Sequence, residues 1–243
     1  MALEFAFSSH GNSSQAWVWL PNWSFKAEVF AELAHHLPGQ HYWYRWHDTT
    51  SFEVAVDEIC NNLPDNVILV GWSLGGALAE AVAHRVPDIA GLITFASPPK
   101  FCRAKQWPYG MSQVRYESFI SSFSNDPNTT LNRFLALNVQ GVDKPKVIIR
   151  LLAHHQLKPS AALQNQLLWF DQYDFTDLEI AKCHYLHLFA DHDALVPAPR
   201  SREQGQYETI NETCHALFLL KPDLIIQKLQ TFHSQLPVAH KSV

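Results

Sequence analysis

A mostly parallel sheet flanked by helices, with a helical insertion, is the α/β architecture that the order of segments predicts. Three observations carry it. The runs "NVILVGW" and "AGLITFAS" are apolar almost throughout, as strands buried on both faces are. Amphipathic helical patterns, "SFEVAVDEICNNL" and "GGALAEAVAHRV", alternate with them, which is how a parallel sheet gains its two covering layers. From Pro98 to about Lys182 the buried strands give way to helical patches.

The elements follow along the chain. Leu3 to Ser8 alternates apolar and polar residues and meets "SSHGNSSQ", a cluster of turn formers; Ala16 to Leu20 is a second strand. That pattern predicts a hairpin with His10-Gly11 at its turn. "SFKAEVFAELAHHL" places Phe25, Val29, Phe30, Leu33 and Leu37 at helical spacing, with Ser24 as the expected N-cap. "HYWYRW" reads as a strand. The insertion holds "SFISSF", "NRFLALNV", "VIIRLLAHH" and "ALQNQLLWF". The sheet resumes with "YLHLFADHDALVP" and "YETIN", and the helix "PDLIIQKLQTFH" closes the fold. The expected division is a core in two parts, 1–97 and 183–236, a helical lid over 98–182 and a flexible tail over 237–243.

Bulk properties narrow the function classes. The 243 residues suffice for one sizeable core with an insertion. A net charge of −5 gives no global attraction to nucleic acid or anionic membrane, so any anionic partner needs a local basic patch. No apolar run approaches the roughly 18 to 20 residues of a membrane span. "MALEFAFSSHG" lacks the basic start and apolar stretch of a signal peptide, so the cytoplasm is the expected location. Cys60, Cys102, Cys183 and Cys214 are scattered without CxxC spacing, and reduced thiols are expected. The N-x-S/T sequons at Asn12, Asn22, Asn128 and Asn211 then have no glycan to receive.

The strongest chemical signal is "VILVGWSLGGALAEAV". A strand runs into Gly71-Trp72-Ser73-Leu74-Gly75 and a helix begins at once, the strand–turn–helix context of a G-x-S-x-G nucleophile elbow. Glycines flank Ser73 because the turn leaves no room for side chains. The strained turn lifts the hydroxyl above the sheet, and the helix start brings amide donors and a positive dipole end.

An elbow serine needs a base, and the base needs an orienting carboxylate, in the order Ser, acid, His. "HLFADHDALVP" offers Asp193, which sits a few residues past its strand just before an apolar-Val-Pro turn. Asp191 is the alternative acid; otherwise it caps that turn. "ETCHALFLLKP" offers His215 a loop's length later. His35-His36 and His154-His155 fit helix surfaces, and His233 and His240 lie in or beyond the final helix. His184 and His187 point to opposite faces of a strand, a poor arrangement for a metal pair. No metal or organic cofactor is expected.

These residues resemble the α/β-hydrolase superfamily along nearly the whole chain. Within it, "NWSFKAEVF", "GWSLGG", "ASPPKFC" with "WP" shortly after, "RFLALNVQG", "DALVP" and "CHALF" are similar to the pimeloyl-acyl-carrier-protein methyl ester esterases of biotin synthesis. The resemblance implies that Pro21-Asn22-Trp23-Ser24 stands where the family has His-Gly-Trp-Gly, so "LPNWS" and not His10-Gly11 is the oxyanion loop. The implied donors are the backbone N–H groups of Trp23 and Leu74. The family's Asp-x-Pro-Gly-x-Gly loop after "HYWYRWHD" is nearly absent here. The resemblance also implies that Trp72 and Phe134 line the acyl channel, and that Arg133, Lys146 and Arg150 dock an acidic acyl-carrier protein, while Thr129 replaces another family arginine. The implied protein is a monomeric serine esterase; the alternatives are a general short-chain carboxylesterase and a non-catalytic binding module of the same fold.

Overall fold

The computed structural model describes residues 2–9, 14–105, 107–143, 145–176, 183–196 and 207–237. Seven strands form one sheet: β1 (Leu3–Ser9), β2 (Ala16–Leu20), β3 (Gly39–Tyr44), β4 (Val67–Trp72), β5 (Gly91–Phe95), β6 (His184–Ala190) and β7 (Tyr207–Ile210). Their spatial order is β1-β3-β2-β4-β5-β6-β7. Every neighbouring pair is parallel except β1 with β3. Helices α1 (Ala31–His35), α2 (Phe52–Cys60), α3 (Leu74–Arg85), α8 (Leu217–Leu220) and α9 (Pro222–Ser234) accompany the strands. Between β5 and β6 lie α4 (Gln113–Asn125), α5 (Pro127–Leu137), α6 (Pro145–His155) and α7 (Ala161–Leu167).

The buried runs sit where their composition demands. All residues of β2, β4 and β5 are buried, and these three strands occupy the middle of the sheet. Helix α3 packs across it with ten buried residues, Glu80 among them. Trp17, Trp19, Phe30, Phe95 and Phe218 are among the large side chains that fill the space between layers. Ser51 caps α2 by accepting from Val54 N at 3.3 Å.

Two local expectations are corrected. β1 and β2 do not form a hairpin: β3 stands between them, and β1 pairs antiparallel with β3. The reason is burial. β2 is covered on both faces and needs parallel neighbours on both sides, whereas β1 is half exposed and suits an edge. His10-Gly11 lies outside the described residues. Ser24 is also not an N-cap. Its φ of 66° takes it out of the extended conformation that a cap requires, and a 3-10 turn at Ala27–Phe30 starts the helix instead.

Candidate active site

Five strands deliver their following loops to one rim of the sheet, at their carboxyl ends, where open parallel sheets bind ligands. β2 leads into Pro21–Ser24, β4 into Ser73, β5 into Ser97, β6 into Asp191–Asp193 and β7 into Asn211–His215. Ser73 occupies the turn between β4 and α3 with φ 55° and ψ −116°, a conformation costly for any residue other than glycine. The turn is held from three sides. Ser73 N donates to Phe95 O at 2.9 Å, Gly76 N donates to Ser73 O at 2.9 Å, and Ser97 Oγ donates to the same carbonyl at 2.9 Å. Gly75 lies directly under the loop that follows β2, where a Cβ would overlap the carbonyl oxygens of Leu20 and Pro21.

Asp193 and His215, the expected acid and base, are brought into contact. His215 Nδ1 donates to Asp193 Oδ2 at 2.8 Å, with both side chains almost fully buried. The other oxygen of Asp193 accepts from Leu195 N at 2.8 Å and Val196 N at 2.9 Å. Asp191 does not cap the Val-Pro turn, which Asp193 caps itself; its oxygens accept from Glu212 N at 2.9 Å and Thr213 N at 3.1 Å in the loop before His215. The Trp72 indole lies beneath the base, donating from Nε1 to His215 O at 3.0 Å, with the two ring centroids 5.7 Å apart. Nε2 of His215 is buried with no hydrogen-bond partner among the described residues, so its bond to the Ser73 hydroxyl is not made in this structure. A bonded carboxylate on one ring nitrogen and a free second nitrogen is the state of an imidazole able to accept a proton.

Neither the Trp23 nor the Leu74 backbone N–H enters a backbone hydrogen bond among the described residues. Both therefore remain available as oxyanion donors. The Trp23 side chain is buried beneath the inserted helices, with Nε1 donating to Leu163 O at 2.9 Å. Its ring meets Phe134 edge-on at a centroid distance of 5.1 Å. Phe134 in turn contacts Phe25 at 6.2 Å, and Phe25 contacts Trp72 at 5.1 Å. An aromatic wall thus runs from the inserted helices to the base. Arg133 on α5 and Lys146 and Arg150 on α6 are exposed. All four cysteines are free thiols, and burial pushes Cys214, beside the base, up to about 11.

Residues 8–227 match the alpha/beta hydrolase family. The chain belongs to that family. It is 30% identical over 259 residues to the biotin biosynthesis bifunctional protein of Saccharophagus degradans, covering 93% of this chain and 45% of that one. The chain thus spans less than half the length of the first curated relatives it matches. A pimeloyl-[acyl-carrier protein] methyl ester esterase of Stenotrophomonas maltophilia is 30% identical over 237 residues, with 88% of this chain and 91% of that one covered. An esterase from Exiguobacterium antarcticum superposes with a TM-score of 0.79 at 17% identity over 96% of this chain and 95% of that one, a likeness of fold. Within this hydrolase-family chain, the sequence marks Asn22 as a departure from the family pattern but does not single out Asn138, its bond to Asn22 or the Trp72–His215 bond. "RFLALNVQG" was noticed as a pattern, but a buried amide in it carries no linear signal of its partner.

Proposed function

We propose that the chain is a serine carboxylesterase that hydrolyses the methyl ester of pimeloyl-acyl-carrier protein. The observation that carries the reading is the Asp193–His215 pair, with its buried, unpartnered Nε2, on the rim that also bears the strained Ser73. The relatives named as pimeloyl-[acyl-carrier protein] methyl ester esterases supply the substrate class.

In this reading Nε2 of His215 takes the Ser73 proton as Oγ attacks the ester carbonyl. The backbone N–H groups of Trp23 and Leu74 receive the oxyanion. Methanol leaves with the proton from His215, and water then hydrolyses the acyl-enzyme along the reverse path. Asp193 holds the ring in the required tautomer and stabilises the imidazolium. The cost of misplacing one oxyanion donor is on the order of 100-fold in rate, so the Pro21-Asn22 departure bears directly on turnover.

Phe134 and Trp72 would wall the acyl chain under a helical lid over residues 98–182. Arg133, Lys146 and Arg150 would receive the acidic carrier. The reading implies a cytoplasmic monomer that needs no cofactor. A second reading, an esterase of small free esters, uses the same machinery without those three cations. It is favoured by the short link between β3 and α2, residues 45–51, at the place where the resemblance expects a longer loop.

The test is hydrolysis of the carrier-bound methyl ester and of a small methyl ester by the wild type and Ser73→Ala, with fluorophosphonate labelling. Labelling at Ser73 and loss of both activities in Ser73→Ala are expected. Equal rates in the two proteins would remove the assignment.

A further inference from the structure

The inserted helices do more than cover the rim: they are bonded into it. Asn138, just past the end of α5, is fully buried and touches two loops that approach from opposite sides. Its Oδ1 accepts from Asn22 Nδ2 at 3.2 Å, one residue before Trp23. Its backbone carbonyl accepts from Ala216 N at 3.2 Å, one residue after His215. Its Nδ2 donates to Phe134 O at 2.7 Å, which closes the last turn of α5 and fixes where that carbonyl points. The orientation of the amide follows from chemistry, because the Phe134 carbonyl can only accept and so leaves Oδ1 for Asn22.

The same corner reaches the loop of the acid. Gly141 O accepts from His192 Nδ1 at 3.0 Å, beside Asp193. Gly141 has φ 95°, and a Cβ there would stand 2.9 Å from both the Cβ and the carbonyl oxygen of His192. The oxyanion loop is fastened to the insertion a second time, by Lys26 N to His155 O at 2.9 Å and Leu157 N to Ser24 O at 2.7 Å.

We infer that Asn138 is a positioning residue, fixing at once the loop that carries Trp23 and the loop that carries His215. Rotating a donor or base by a small angle is enough to lose rate without losing substrate affinity, because near-attack geometry is required only of the reacting atoms. Asn22 gives the cleanest probe. The bond to Asn138 is the only hydrogen bond its side chain makes among the described residues, and its Oδ1 is buried without a partner. Removing that amide therefore cuts the cross-link without breaking any other side-chain hydrogen bond of Asn22 among the described residues. The inference rests on the esterase reading for its kinetic readout, but not for its structural one.

The experiment compares the wild type, Asn138→Ala, Asn22→Ala and the double variant. Its readouts are kcat and KM on a small methyl ester, the rate of fluorophosphonate labelling, and amide hydrogen exchange. Asn138→Ala is expected to lower kcat and labelling by about 10- to 100-fold with KM within about threefold. Asn22→Ala should lower kcat less, because Asn138→Ala also removes the bond to Phe134 O, and the double variant should be no worse than Asn138→Ala alone, since both remove the same Asn22–Asn138 bond. Faster exchange is expected in the segments around Trp23 and His215 as well as in α5. If Asn138→Ala does not fold, Asn22→Ala decides the question through its own kcat and the exchange around Trp23. Unchanged kcat and labelling in folded variants would overturn the inference. So would a rate loss that tracks only the fraction of unfolded protein. If the wild type neither hydrolyses esters nor is labelled, the esterase reading fails, and exchange alone decides. Acceleration confined to α5 then overturns the inference, while acceleration in both loops upholds it.

Discussion

Asp193 holds His215 through Oδ2 at 2.8 Å and its own loop through Oδ1, which accepts from Leu195 N and Val196 N. One carboxylate therefore orients the base and anchors the turn that presents it. Asp193→Asn retains the shape but faces Nδ1 with an amide that can turn the ring to the wrong tautomer. We expect kcat on a small ester to fall by roughly 10³- to 10⁴-fold. Asp191→Asn is the control, because Asp191 bonds the backbone of Glu212 and Thr213 and lies 3.7 Å from His192 Nε2, with no hydrogen bond to His215 among the described residues. It should lower stability by about 1 kcal/mol in urea denaturation and leave kcat within a few-fold. Equal kinetic losses in the two variants would contradict the assignment of roles.

His41 should make the fold acid-sensitive. Burial among Trp17, Trp19 and Phe7 lowers its pKa to about 4 against an ordinary value of 6.5. Its Nδ1 accepts from Trp19 Nε1 at 3.1 Å, a bond that requires the neutral ring. The unfolded chain takes up a proton below about 6.5 while the folded chain resists it down to about 4. Stability is thus full above pH 6.5 and is lost as the pH falls through that window, by about 3 kcal/mol from this group. His84, His155 and His233 are shifted in the same direction by burial, so the readout must be a difference. Urea melts at pH 7 and pH 4.5 should show a smaller acid loss in His41→Phe than in the wild type. Parallel pH curves would rule His41 out.

Legibility followed locality. The elbow could be read because its constraint is written in consecutive residues: Gly75 must be glycine where Leu20 and Pro21 pass over it. The central strands could be read because β4 and β5 are buried along their whole length. Strand pairing could not. The turn formers after β1 suggested a hairpin, yet the partner of β1 is set by which strand must lie inside, a property of the whole sheet. Asp193 could be preferred to Asp191 from its place past the strand end, but what each carboxylate bonds, His215 for one and the backbone of Thr213 for the other, is a matter of contacts. Asn22 stood out as a departure from the family pattern, but its bond to Asn138 could not be read: 116 positions separate two amides whose meaning lies in their contact.

Reversing charge on α6 separates the two esterase readings. Lys146 and Arg150 are one turn apart and exposed, with the exposed apolar Val147 and Leu151 beside them. Lys146→Glu with Arg150→Glu should raise KM for the carrier-bound ester by 10-fold or more, with a larger effect at low salt. Hydrolysis of a small free ester should change by less than about twofold. Equal loss on both substrates would mean that the helix serves folding and not docking.

Trp72 is expected to act on the chemistry through His215. Its indole is fully buried, 5.1 Å from the rings of both Phe25 and Phe218, and its N–H is bonded to the carbonyl of the base. Trp72→Phe keeps an aromatic ring but leaves that carbonyl without its donor and opens space beneath the imidazole. A stability loss of about 1–3 kcal/mol follows from the lost hydrogen bond. Trp17→Phe is the matched comparison: Trp17 is equally buried and donates to Pro38 O at 2.9 Å, below the sheet's other end. Both variants should lose similar stability. Only Trp72→Phe should also lower kcat, by about 10-fold, because only its partner carries the nitrogen proposed to take the Ser73 proton. Turnover measured well below the melting temperature of each variant reads this directly, and equal kcat losses in the two would show that activity merely follows folding.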